Sequence, residues 1–261
     1  MNFSRTVIAL ERRLRNCRNV ETLGVRPNLE DYSERERNLI QTAGTVYYPS
    51  VFYAGLFYAM GKRTFPSWNT YACAQDKIRQ SALFKLLGIP HPQTRVFYGP
   101  TQKARICEHF RFPFVGKVPR GSALGRGVFL IRKMEQLSEY CERSRIAYIQ
   151  EYLPSDRDIR VVVIGGRVAH AYWRICAAGE FRSNIAAGGR VSLAPVPKEA
   201  IALAVRTAKA CGWDDVGIDI CPWGEGFAVL EANMKYGLEG FRRAGIDHTH
   251  LMETMIENGE I

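Results

Sequence analysis

A mixed α+β fold is predicted for this chain by three observations. Ile159 to Ile175 reads as a β-hairpin that turns at Gly165-Gly166. Gly217-Ile218-Asp219-Ile220 and Val229-Leu230-Glu231-Ala232-Asn233 are two more strand-like runs, close in sequence. Before them, residues 198–211 form an alanine-rich helix that closes at Gly212. Hairpins mixed with helices place the chain in the α+β (mixed α/β) class.

The remaining elements follow in order. Residues 4–16 have the apolar spacing of a basic helix, and residues 20–25 read as a short strand. Ser33 before Glu34 and Glu36 starts a helix that runs to about Ala43. Thr45 to Tyr48 is a strand stopped by Pro49, and residues 51–60 are apolar enough for a buried helix. Phe65 to Asn69 reads as a turn. A helix from about Ala74 to Leu87 ends at Gly88, with Pro90 and Pro92 beyond it. Strands at 95–98, 114–118, 127–131 and 147–150 alternate with helices at 101–109 and 134–143. A terminal helix covers about residues 247–257, and no internal repeat is visible.

Length and composition narrow the function. The 261 residues suit one large or two small domains, and 46% apolar with 24% charged residues is ordinary globular composition. The longest apolar run, Val51 to Met60, falls short of the roughly 18 residues of a membrane span. The N-terminus soon meets Glu11-Arg12-Arg13 and lacks the apolar core of a secretory leader. Seven cysteines without a Cys-x-x-Cys pair point to free thiols in a reducing, cytoplasmic setting. The net charge of +10 favours anionic partners. The basic residues are scattered without an aromatic-interleaved module, which argues against nucleic acid.

Asp219, Glu231 and Asn233 are the most telling residues. Glu231 and Asn233 are two apart, so on a strand they share a face. Two carboxylates and an amide on rigid strands suit a hard cation that keeps room for phosphate, such as Mg2+; edge polar residues of a hairpin are the alternative. Pro119 to Gly127 is a glycine-rich loop between two strands, either a phosphate cradle or a plain hairpin loop. It is neither a Walker A loop nor a dinucleotide fingerprint. Lys117, on the strand entering it, is either a phosphate partner or solvent-facing. Gln150-Glu151 runs into a bend whose backbone suits an adenine edge, and Glu151 or Asp158 suits ribose hydroxyls. Arg160, Arg174, Arg182 and Asn184 add donors that fit phosphates or carboxylates, or form a solvated basic face.

The order of these blocks resembles the ATP-grasp superfamily, in its RimK-like branch of carboxylate–amine (mostly glutamate) ligases. The resemblance rests on Asp76-Lys77 with Leu86-Leu87-Gly88-Ile89-Pro90-His91-Pro92, on Phe112 to Lys117 with the glycine loop, and on Ile149 to Leu153. Asp158-Ile159-Arg160, Phe181 to Asn184, Gly188-Gly189 and the Asp219/Glu231/Asn233 strands complete it, over roughly residues 74–250. It implies an ATP-grasp fold with a short N-terminal domain (1–73), a central subdomain (74–150) and a C-terminal subdomain carrying the metal site (151–261). It implies that Lys77 and Lys117 contact nucleotide phosphates and that Gly121, Ser122, Gly125 and Gly127 belong to a loop closing over them. Gln150, Glu151 and Leu153 would hold the adenine edge, and Asp158 the ribose side. Asp219, Glu231 and Asn233 would bind two Mg2+ ions, with Mn2+ as the alternative. Arg174, with Arg182 and Asn184 nearby, would face the γ-phosphate and an acyl-phosphate. Losing Asp219, Glu231 or Arg174 would then abolish ligation while sparing the fold. Tyr236 stands where the family usually has proline, and residues 1–73 lack a clear glycine turn, so the acceptor site is the least defined part. The rivals are an ATP-grasp kinase and a basic binding protein. The partners implied are ATP, a carboxylate and an amine; an acidic acceptor would match the basic charge, which solubility explains equally well.

Overall fold

A computed structural model describes residues 7–120 and 127–261. Three sheets order the chain. The first contains β1 (Val7–Ala9), β2 (Val20–Thr22), β3 (Thr45–Tyr47) and β4 (Arg63–Phe65). Its order is β2-β1-β3-β4 and every pairing is parallel. The second contains β5 (Thr94–Tyr98), β6 (Phe114–Lys117), β7 (Val128–Ile131) and β8 (Ile146–Glu151), ordered β5-β8-β6-β7 and antiparallel. The third contains β9 (Arg157–Ile164), β10 (Arg167–Ile175), β11 (Arg190–Ser192), β12 (Asp215–Trp223) and β13 (Gly226–Asn233). Its order is β11-β10-β9-β12-β13, all antiparallel.

β9 shows why the third sheet is central. Ile159, Val161 and Val163 enter a core shared with Leu203, Ala204 and Ala208 of the helix Lys198–Cys211. The alternate residues Val162 and Ile164 enter another core with Tyr47, Tyr48 and Phe65 of the first sheet and Met252 of the terminal helix His248–Glu257. Apolar residues therefore run without alternation, as on a strand buried on both faces. The helix Lys77–Leu86 ties itself to the edge strand β13 through Gln80. Gln80 Nε2 donates to the Ala232 carbonyl, and Ala232 N–H donates to Gln80 Oε1, both at 2.8 Å.

Several expectations change. Residues 4–16 do not form a helix: Val7–Ala9 is β1, and only Arg12–Leu14 makes a short 3-10 turn. Ile8, Ala9 and Leu10 are fully buried, and so short an apolar run fits a buried strand as well as a helix. The helix Ser50–Ala59 exists, but Val51, Phe52 and Leu56 are exposed rather than buried. The expected turn at 65–69 holds the end of β4 and the start of the helix Trp68–Cys73, capped by the Ser67 hydroxyl. The next helix starts at Lys77 rather than Ala74, because Asp76 caps it by accepting from Ile78 and Arg79 N–H. The expected helix at 101–109 is two short ones, Gly99–Lys103 and Ile106–His109. The hairpin, the helix Lys198–Cys211 and the helix start at Ser33 are as read from the sequence, and Ser33 and Glu36 there form a capping box. Among the described residues no helix is long and apolar enough to cross a membrane.

Candidate active site

Strand register builds the site. Tyr172, Arg160, Asp219 and Glu231 stand opposite one another across β10, β9, β12 and β13, with Arg174 opposite Asp158 in the next row. Asp219 pairs with Glu231 but Ile220 pairs with Val229, so Leu230 is an extra, bulged residue. The bulge lets neighbours Leu230 and Glu231 both line one cavity of about 860 Å³. Val115, Lys117 and Gln150 of the second sheet line the same cavity. Gly217 is required in this face, because a Cβ there would come within 2.4 Å of the Tyr236 side chain.

The charged groups form an ordered array. Arg160 Nε and Nη2 each donate to one Asp219 oxygen at 2.6 Å, and Arg160 Nη1 donates to the Tyr236 carbonyl. Arg174 forks onto Asp158 at 2.7 and 2.6 Å and lies 2.8 Å from Asp219 Oδ2. The Ser183 hydroxyl also donates to Asp158. Arg174 is therefore no free cation. Its loss would leave two buried carboxylates short of a partner, so a cost in stability is expected beside any loss of activity.

Opposite Glu231 stand two lysines. Lys77 Nζ is 3.5 Å from Glu231 Oε2, and Asn233 Nδ2 donates to Glu231 Oε1 at 3.0 Å. Burial disfavours the Glu231 charge, but Lys77 and Lys117 more than offset it and hold the carboxyl well below its usual range. Burial lowers the Lys117 pKa, and Lys77 adds to that, while Glu231 counteracts it.

The oxygen donors suit a hard cation. Among the described residues no three acidic, histidine or cysteine side chains gather into a metal cluster; the set here is two carboxylates and an amide. A carboxylate offers about four lone-pair directions, and the two arginines occupy three on Asp219. One direction on Oδ1 stays available. The Asn233 amide, with its nitrogen committed to Glu231, keeps its oxygen as a donor. The set therefore fits a magnesium-like ion.

The other predicted residues are placed as follows. Gln150 is buried with Nε2 donating to Thr94 Oγ1 at 3.1 Å, and Glu151 Oε2 accepts from Gln93 N–H. Both side chains are thus tied to Gln93 and Thr94 at the start of β5, and Gln150, Glu151 and the half-buried Leu153 all line the cavity. Asp158 has both oxygens engaged by Arg174 and Ser183. Arg182 pairs with Glu180 at 2.6 Å; that contact lowers the Glu180 carboxyl to about 2. Asn184 lines the cavity and its carbonyl accepts from Ala187 and Gly189 N–H. The Gly127 carbonyl accepts from Val118 N–H, while Gly121, Ser122 and Gly125 lie outside the described residues.

The sequence reading gave Arg160 only as a donor for phosphate or carboxylate, not as the partner of Asp219, and gave Tyr172, Cys221 and Leu230 no place in the site. For Arg160 and Cys221 a signal existed: each lies two residues from a predicted site residue on the same strand, Asp158 and Asp219. Leu230 had none, since a bulge is set by pairing.

Comparison with known proteins follows the same line. A family model described as the RimK-like ATP-grasp domain matches residues 74–256. The chain is 32% identical over 196 residues to a probable alpha-L-glutamate ligase of Haemophilus influenzae, covering 72% of this chain and 65% of that protein. It is 31% identical over 192 residues to the ribosomal protein bS6–L-glutamate ligase of Salmonella paratyphi B, covering 70% and 64%. It thus spans slightly less than two thirds of these relatives' lengths. In structure it is similar to a D-alanine–D-alanine ligase of Bacillus anthracis complexed with ATP, with TM-score 0.68, 16% identity and coverage of 91% and 85%.

Proposed function

The chain belongs to the RimK-like ATP-grasp family, and from that premise we propose that it is an ATP- and Mg2+-dependent carboxylate–amine ligase. The observation that carries the reading is the Lys77–Glu231 ion pair beside Lys117. It joins a phosphate-type cation from one side of the cavity to a metal-type acid from the other, where a magnesium-bound triphosphate needs both. The relatives named as glutamate ligases favour glutamate as one of the two substrates.

In this reading Lys77 and Lys117 hold phosphate oxygens, while the Gln150-to-Leu153 backbone takes the base edge. Asp219, Glu231 and Asn233 would hold the magnesium, which would supply charge neutralisation. Arg160 and Asp158 keep Asp219 and Arg174 in position. Arg174 faces the transferred phosphoryl group, with Asn184 and Arg182 on the loop beside it. A substrate carboxylate oxygen attacks the γ-phosphorus of ATP, the bond from that phosphorus to the β–γ bridging oxygen breaks and ADP leaves with the electron pair, giving an acyl-phosphate. An amine then attacks the acyl carbon, inorganic phosphate leaves with the C–O bonding pair, and nitrogen loses its proton, so an amide forms. Water must be kept out, since it would hydrolyse the activated acid.

The test is incubation of the purified protein with MgATP and a matrix of acids and amines, reading ADP release and product mass. An amide product whose formation needs both acid and amine is expected. Glu231→Ala is expected to lower kcat/KM on the order of a thousandfold. A stable phosphorylated acid formed without amine would replace the ligase by a kinase, and full turnover by the Glu231 variant would remove its metal role.

A further inference from the structure

Asp215, Gly217 and Asp219 follow one another at every second residue of β12, and so share one face. The space above Gly217 belongs to Tyr236: a Cβ on the glycine would run into the Tyr236 Cβ. Tyr236 thus lies between the two aspartates and is connected to both. Its hydroxyl donates to Asp215 Oδ1 at 2.9 Å. Its carbonyl accepts from Arg160 Nη1 at 2.6 Å, and Arg160 turns Nε and Nη2 onto Asp219. Tyr236 comes three residues after Asn233, at the position where the resembled pattern has proline. A proline there would carry no hydroxyl for Asp215.

The ring of Tyr236 is held from several sides. It is 2% exposed and packs against Phe241 and His248, with centroids at 6.4 and 6.2 Å. The Arg13 guanidinium lies 4.6 Å from its centroid. Burial raises the phenol well above its usual pKa, so the hydroxyl stays a donor. Asp215 also accepts from the Tyr48 hydroxyl, at the end of β3, at 2.7 Å. The ring is thereby fastened to the first sheet, and its carbonyl is confined to one place. An arginine fork is planar and rigid. With Nη1 seated on that carbonyl, Nε and Nη2 meet the Asp219 oxygens in one orientation. The Asp219 direction left for a cation is aimed by the same contacts.

We propose that Tyr236 is a positioning residue for the metal-type set. Its seat over Gly217 places the carbonyl that orients Arg160, Arg160 orients Asp219, and the affinity for a divalent cation follows. This rests on the magnesium role given above to Asp219, Glu231 and Asn233. It makes the first sheet, through Tyr48 and Asp215, part of the support of that site.

Titration of the full chain with Mn2+ in the presence of ADP tests the role, with free Mn2+ read by its EPR signal against a protein-free control. Tyr236→Leu is expected to weaken Mn2+ by roughly ten- to a hundredfold, as loss of an outer support of a metal ligand does. Tyr236→Phe keeps the ring over Gly217 and is expected to fall between that variant and the wild type. Met252→Ala opens the same core without touching Arg160, and is expected to lower the denaturation midpoint while leaving Mn2+ affinity unchanged. Arg160→Lys is expected to weaken Mn2+ by itself, and Tyr236→Leu added to it should cost less than about twofold more, since both act along one path. Should the leucine variant fail to fold, the phenylalanine variant carries the test. Wild-type Mn2+ affinity in the Tyr236 variants that fold would overturn the role. So would full additivity with Arg160→Lys, or an equal loss of affinity in Met252→Ala. Weakened Mn2+ in the Tyr236 variants, with no amide from any acid–amine pair, would keep the role and sink the ligase reading. Amide formation with Mn2+ binding indifferent to Tyr236 would do the reverse, and a wild type that binds no Mn2+ would overturn both.

Discussion

Asp215 and Asp219 lie four residues apart on one face of β12, yet their surroundings differ in kind. Asp219 is gripped by two arginines, and those arginines and Asp158 satisfy one another with short, forked bonds. Asp215 instead takes two tyrosine hydroxyls, with Arg13 at the limit of ion pairing. Burial pushes the Asp215 carboxyl up, and Arg13, Tyr48 and Tyr236 only counteract it. The contrast separates two uses of buried charge. Two arginines matched by two aspartates form a charge-balanced array that holds Asp219 in one place. Hydroxyls of Tyr48 and Tyr236 let Asp215 pin the first sheet to the third, with Arg13 at its side.

Breaking the first cluster should have the largest effect. Arg174→Leu strips a partner from two buried aspartates and is expected to cost about 3–5 kcal/mol in denaturant unfolding, besides activity. An unchanged midpoint would mean that the array is energetically idle. Tyr48→Phe removes one of the bonds to Asp215 and is expected to cost about 1–3 kcal/mol by the same measurement. A loss as large as that of Arg174→Leu would erase the distinction between the clusters. The subtlest effect per pH step is on pH dependence. Burial, helped by Arg13, lowers the His248 pKa to about 4 from 6.5. His248 shares the second cluster through the Tyr236 hydroxyl at 3.2 Å. The unfolded chain then binds more protons between those values, so stability is full above about 6.5 and declines as pH falls towards 4. The slope from this group is at most about 1.4 kcal/mol per pH unit, and His248→Gln should flatten it.

Much of the metal-type set was legible because strand alternation is local: Glu231 and Asn233 share a face whatever pairs with them. The helix Lys198–Cys211 and its glycine end were legible for the same reason, as was the hairpin at Gly165-Gly166. Long-range pairing was not. Nothing near Arg174 in sequence says that Asp158 and Asp219 both lie against it, so it read as a free phosphate ligand. Asp158 read as open to ribose because its engagement by Arg174 and Ser183 depends on the register of β9 with β10 and on a loop 25 residues away. The first sheet was misjudged at Val7–Ala9 because the short buried run Ile8, Ala9 and Leu10 carries too little periodicity to tell strand from helix.

Gln80 has a consequence of a different kind. β13 is an edge, and an edge strand offers free N–H and C=O groups that invite another strand. A glutamine amide carries the same donor and acceptor as a peptide unit, and Gln80 places both on Ala232, between Glu231 and Asn233. One side chain thus imitates a sixth strand for the length of a single residue. It denies that edge to a second chain where intrusion would do most harm, between the two outermost oxygen donors of the candidate site.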